Sequence, residues 1–193
     1  MARLLVNETS HAEARGRLYP DSARPESFHR DTRTNEAERH NTARYHGDGT
    51  VEGGSTPAPP NPVNFGSADG TVDDVTAYFR LERQLAAKGS CALTVPVFDG
   101  RHRYDFVFAD AGRHELSLQG GKRLQTVACH MKRRDLAVPA GESDEGAREG
   151  TIWYAPLLPS GVWVPVRMEL ETVIGTTVAN LAELKAPGLD WRL

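Results

Sequence analysis

The sequence predicts an α+β protein: a curved antiparallel β-meander, open or half-barrel-like, with one amphipathic helix packed on a face. Three observations lead there. A two-residue apolar rhythm runs through the last hundred positions, one stretch near residues 72–88 has helical spacing, and composition shifts near residue 62. The 193 residues are 39% hydrophobic and 25% charged, enough apolar material for a core. No run approaches the roughly 20 apolar residues of a spanning helix, so the chain reads as not membrane-spanning. A net charge of −3 and a pI near 6.2 speak against nucleic acid as a partner.

Residues 1–62 read as a polar, weakly stranded segment that completes or flanks the sheet. Seven of their sixteen hydrophobic residues are alanine, and they hold four of the seven histidines, His11, His29, His40 and His46. Such a segment buries little by itself. Asn41 to His46, Gly47-Asp48-Gly49 and Thr50-Val51 look like a hairpin. Residues 55–66 hold four prolines, which lack the amide donor and read as an extended connector.

Residues 63–193 read as the main β-rich domain and carry all three Trp and both Cys. Its helix is expected over 72–88. Thr71 suits the N-cap, with Asp74 three residues on, and Asp73 and Asp74 lie at the positive end of the helix dipole. Val75, Tyr78, Leu81 and Leu85 share one face, and Arg80, Glu82 and Arg83 fall elsewhere. Lys88 ends the last turn and Gly89 suits the position after it.

The period then changes to two. Strands are expected at 92–98, 103–108, 114–118, 125–131, 151–154 and 162–170, with Val173-Ile174 and Val178 to Leu181 closing the pattern around Gly175. Asp99-Gly100 predicts a tight turn. Glu142 to Glu145 read as a solvated loop, and Gly120-Gly121-Lys122 as a turn.

Few residues ask for chemistry. The histidines form no compact ligand motif, so no metal and no cofactor are expected; His29 and His40, 11 apart in polar sequence, read as surface residues. No nucleophile elbow or phosphate loop occurs, and no catalytic residue is assigned. Asp99, Arg101, Arg103 and Asp105 alternate around the turn. They read as ion pairs on a polar face or as anion contacts at a cavity rim, as does Arg167 with Glu169. Tyr104, Phe106, Phe108, Trp153 and Trp163 line one side of the sheet or the other, as a collapsed core or an apolar groove.

Several segments together carry a resemblance. They are Gly70 to Ala77 at the helix start; Cys91, then Val97-Phe98-Asp99-Gly100-Arg101-His102-Arg103-Tyr104-Asp105-Phe106; Cys129; and Ile152-Trp153-Tyr154 with Val164 to Glu169. Over roughly residues 60–183, and more faintly before them, the chain resembles the bacterial family called Domain of Unknown Function 3108. The resemblance implies open, curved sheets wrapped about a helix, similar to periplasmic lipoprotein carriers, a periplasmic location, and no established activity. The first residues, Met1 to Glu8, hold a three-residue apolar run, so no export signal is read in this chain.

In an oxidising compartment Cys91 and Cys129, on strands of one meander, suit a disulfide closing about 40 residues, worth about 4 kcal/mol. The alternative is two buried thiols. Three functions compete. The first is an exported, non-enzymatic β-rich protein whose concave sheet binds an apolar or lipid-like ligand or joins an envelope complex. The second is a structural or interaction protein without a small ligand. The third is a hydrolase or metalloenzyme using His102 or His130.

Overall fold

The computed structural model describes residues 9–20, 22–35, 37–59, 61–62, 68–117, 123–137, 148–157, 162–172, 175–186 and 189–192. Open antiparallel sheets dominate, with a single helix among these residues. Val173-Ile174, Gly120-Gly121-Lys122 and Glu142 to Glu145 lie outside them.

The chain divides into two compact units. The first comprises Met1–Phe79, Val95–Asp105 and Asp135–Ser143, and the second Arg80–Thr94, Phe106–Arg134 and Asp144–Leu193. The expected boundary at residue 62 therefore does not coincide with a compact unit.

The front third forms its own sheet: β1 (Thr9–Leu18), β2 (Ala23–Arg33), β3 (Glu38–Tyr45) and β4 (Val51–Thr56), neighbours in sequence and in space. Strand pairing puts small residues beside large ones on its inner face. Ala14, Phe28, Ala43 and Gly53 stand in one row, and Ala12, Arg30, Asn41 and Ser55 in the next. Phe28, Ala43, Val51, Ala68 and Phe98 make the core, with Ala12, Ala14, Tyr45 and Val75 against it. Two of those core residues come from beyond residue 62. A segment this poor in large apolar residues closes a core by borrowing Phe98.

Helix α1 spans Asp74–Lys88. Its N-cap is Asp73, not Thr71: the Thr76 amide and hydroxyl donate to the Asp73 carboxylate at 2.7 and 2.8 Å. Thr71 instead donates its hydroxyl to the Ala68 carbonyl. Gly89 ends the helix at φ 64°, its amide bonded to the Leu85 carbonyl. The buried stripe runs through Ala77, Leu81 and Leu85, while Val75 and Tyr78 are half-buried.

Six strands make the larger sheet, in the order β10-β9-β8-β7-β6-β5. They are β5 (Leu93–Phe98), β6 (Arg103–Ser117), β7 (Arg123–Ala137), β8 (Glu149–Ala155), β9 (Val164–Thr172) and β10 (Gly175–Asn180). The expected strands at 103–108 and 114–118 are one 15-residue strand, passing through Gly112 at φ 91°. A small hairpin, β11 (Glu183–Ala186) with β12 (Leu189–Arg192), stands apart from both larger sheets.

Within the second unit Cys91 and Cys129 form a disulfide, with Cα atoms 5.5 Å apart and both residues fully buried. The bridge ties the segment just after α1 to β7. Asp110 of β6 holds the same segment, accepting from the Cys91 amide at 2.6 Å and the Ser90 hydroxyl at 2.7 Å. We expect Cys91→Ala/Cys129→Ala to lower unfolding free energy by about 2–5 kcal/mol in urea; an unchanged midpoint would show that the bridge holds nothing together.

Candidate functional site

Of the expected rim residues, Arg101, Arg103 and Asp105 lie in the first unit with Asp99 and are largely interior, while Arg167 lies in the second. Asp99, Arg101 and Asp105 are buried, and Arg103 is half-buried. The tight turn expected at Asp99-Gly100 is a four-residue connection, 99–102, between the neighbouring strands β5 and β6, folded on its own carboxylate. Asp99 Oδ1 accepts from the amides of Arg101 at 2.9 Å and His102 at 2.7 Å, and Oδ2 lies 3.2 Å from His102 Nδ1. Burial works to raise the Asp99 carboxyl. The His102 imidazole and the two amides outweigh it and hold the group below the ordinary carboxylate range.

Gly100 lets this connection seat against the β3–β4 hairpin. It has φ 87°, and a Cβ there would stand 2.7 Å from the Thr42 carbonyl oxygen, 2.9 Å from its nitrogen and 3.0 Å from the Gly54 carbonyl oxygen. Arg101 then reaches across β4, donating to Ser55 Oγ at 2.9 Å and the Pro57 carbonyl at 3.1 Å. Tyr45 donates its hydroxyl to the Phe98 carbonyl at 3.0 Å. At the start of α1, Arg30 of β2 donates to Asp74 at 2.5 Å. Arg103 pairs with Asp105 at 3.0 Å, two residues along its own strand. An Asp–His pair supplies two of the three members of a Ser-His-Asp triad. Here the same carboxylate also takes two amides of its own turn, so the pair locks the connection.

The second unit holds four of the five expected apolar residues, Phe106, Phe108, Trp153 and Trp163, on two faces. Phe106 and Phe108 are buried with ring centroids 5.7 Å apart. Tyr104, in the first unit, is buried as well. All three rings therefore sit inside, not on an open surface. On β8, Ile152 and Tyr154 are buried while Trp153 points to the opposite face, half-exposed. There the Arg167 guanidinium lies 5.8 Å from the Trp153 ring centroid and bonds Glu169. Trp163, just before β9, is half-exposed. His130 meets Glu149 at 3.0 Å in the open.

Strand register gives the Cys129 face a gradient. The row Cys129, Ile152, Met168, Ala179 runs across β7, β8, β9 and β10. Its first two residues are fully buried, Met168 is half-buried and Ala179 is exposed. The row Met131, Gly150, Leu170, Thr177 repeats this, from buried through half-buried Leu170 to exposed. Met168 and Leu170 of β9 and the β10 residues of these two rows are therefore left partly uncovered, whereas Val166 of β9 is fully buried.

Two features lay beyond the sequence reading. Glu82, placed off the buried face by helical spacing, is half-buried, and burial pushes its carboxyl up to about 7 against the pull of Arg83. The pairing of β2 with β3 sets His40 opposite Asp31, with His29 on the same face. A separation of 11 residues hid that closeness; a hairpin centred near residue 35 would have disclosed it.

Gly100→Ala is expected to cost about 2–4 kcal/mol in denaturant unfolding, from φ strain and the backbone clash together; a loss below about 0.5 kcal/mol would contradict the close seating. Asp99 adds stability that is present above the ordinary carboxylate range and is lost as pH falls through its lower folded value. Asp99→Asn should flatten that acid limb of a pH–stability curve. Glu82 works oppositely. Stability is greatest below the ordinary carboxylate range and falls as pH rises through about 7, so Glu82→Gln should stabilise by about 1–2 kcal/mol at pH 8 and little at pH 4.

No helix among the described residues is long and apolar enough to cross a membrane. No curated protein and no solved structure matches the chain. The model of the family described as protein of unknown function DUF3108 matches residues 6–182, taking in the four-stranded front sheet, the Asp99 connection and the disulfide. On that near-complete coverage, the chain belongs to this family of proteins of unknown function, DUF3108.

Proposed function

We propose that the chain is an exported, non-enzymatic protein of the cell envelope that takes an apolar or lipid-like molecule on the Cys129 face of its second unit. The burial gradient across β7 to β10 carries this reading. Apolar side chains continue along the face past the point where cover ends, and Met168 and Leu170 keep part of their surface open. Covering the open part of each is worth about 1 kcal/mol. Methionine's flexible thioether suits a face that meets chains of varied shape. The buried disulfide supports an oxidising compartment, since such bridges form and persist outside the cytoplasm.

A fluorescent fatty-acid analogue titrated into the purified protein tests the reading, alongside mass spectrometry of its organic extract. Met168→Glu and Leu170→Glu should each weaken binding about tenfold, and Val178→Glu, on the opposite face, should leave it unchanged. No saturable binding, or equal loss in all three variants, would remove the apolar site. A stoichiometric protein partner from an extract carrying no lipid would favour the structural or interaction role.

A further inference from the structure

We propose that β1 is a self-pairing edge. Two copies of this chain join by antiparallel pairing of residues 10–18 about a two-fold axis at Ala14, which sets Glu13 of each copy opposite the partner's Arg15. The inference is independent of the apolar site, which lies in the other unit.

Topology leaves the edge open. Among the described residues β1 pairs only with β2, so one side of its backbone has no neighbouring strand. It is a 10-residue strand without proline, and each of its positions is exposed or half-buried. An edge this long templates another strand unless charge, proline or cover prevents it. The other edge of the sheet, β4, is 6 residues long, and Arg101 reaches across it to Ser55 and Pro57.

Two turns fix which backbone groups the edge presents. Tyr19 donates its amide to the Ser22 carbonyl across the β1–β2 turn, and Thr34 donates to the Ala37 carbonyl across the β2–β3 turn. Alternation from either bond turns the amides and carbonyls of His11, Glu13, Arg15 and Arg17 toward β2. Those of Ser10, Ala12, Ala14, Gly16 and Leu18 face outward. A second copy must therefore set outward residues opposite outward residues, and the two-fold axis passes through a residue position.

Charge then selects the register. Two axis positions pair nearly the whole of β1, one at Glu13 and one at Ala14. Glu13 and Arg15 share the outer face, with side chains 49% and 75% exposed. An axis at Glu13 would set the two Glu13 carboxylates directly opposite each other, like charges at the closest cross-strand spacing. An axis at Ala14 sets Glu13 opposite the partner's Arg15 on both sides of the axis, at that same close spacing. His11 falls opposite the partner's Arg17, which bonds Glu26 of its own chain at 2.8 Å. On the inner face Ala14 meets its own copy, Ala12 meets Gly16, and Ser10 meets Leu18, so two large side chains never collide. Every outward amide finds a carbonyl, and Leu18, 58% exposed, gains cover.

Sedimentation equilibrium of the full-length protein over about 5–500 μM tests the pairing by mass action. A narrow interface of two strands belongs to the transient class, so we expect reversible doubling of the 21.2 kDa mass with a midpoint of about 10–100 μM. Glu13→Arg and Arg15→Glu, each checked for folding by circular dichroism, should weaken self-association about tenfold. An equimolar mixture of the two variants should recover it, because one copy then carries arginine at both positions and the other glutamate at both. Arg123→Glu, the same charge change in the second unit, should associate like the parent. In the unsubstituted protein, hydrogen exchange of the Ala12, Ala14 and Gly16 amides should slow as concentration rises, a readout that needs no variant. A single-chain mass throughout, association untouched by both charge variants, no recovery in the mixture, or exchange independent of concentration would overturn the proposal.

Discussion

The first unit depends on one buried carboxylate. Asp99 closes the connection between β5 and β6 by accepting from two amides of its own turn and facing His102. An acidic group this deep is costly unless its lone pairs are filled, and the turn fills them locally. Once the connection is closed, Gly100 comes within contact of the Thr42 and Gly54 backbones, and Arg101 reaches Ser55 and Pro57. Phe98, the residue before it, enters the core of the front sheet and accepts from Tyr45. That sheet is made largely of alanine and polar residues, so its interior rests on contributions from this connection.

The second unit is held by a different means. A covalent bridge joins the end of α1 to β7, and Asp110 pins the same segment through an amide and a hydroxyl. The disulfide lowers the entropy of the unfolded chain, while the Asp110 bonds orient the segment in the folded one. Beyond β8 the sheet continues with fewer buried residues, and Met168 and Leu170 remain half-open. The proposed apolar function rests on that unevenness, because a face sealed along its whole length would leave no surface to offer a ligand.

Much of the architecture was legible in local patterns. Period-two alternation marked the strands of the last hundred residues, and Gly89 after Lys88 marked the end of α1. The N-cap was misplaced by two residues because Thr71, Asp73 and Asp74 are all acceptable caps. The choice fell to Asp73 once Val72 was drawn into a bridge with Val97 and the Thr71 hydroxyl to Ala68. The charges around Asp99 read as a polar face or a cavity rim because alternation says which residues share a face. It does not say whether another sheet lies over that face.

Sequence alone determined what depends on neighbours along the chain: strand and helix periods and the glycine stop. It also carried the family resemblance, most specifically in the segment from Phe98 to Arg101. Tertiary structure decided what depends on residues far apart. It joined Cys91 to Cys129, made the front third a sheet of its own, and turned Asp99 and Arg101 inward. It also placed His40 beside Asp31 and left Glu82 half-buried. The reason is physical: strand register and sheet stacking are chosen by the summed burial of many side chains, and no short window of sequence contains that sum.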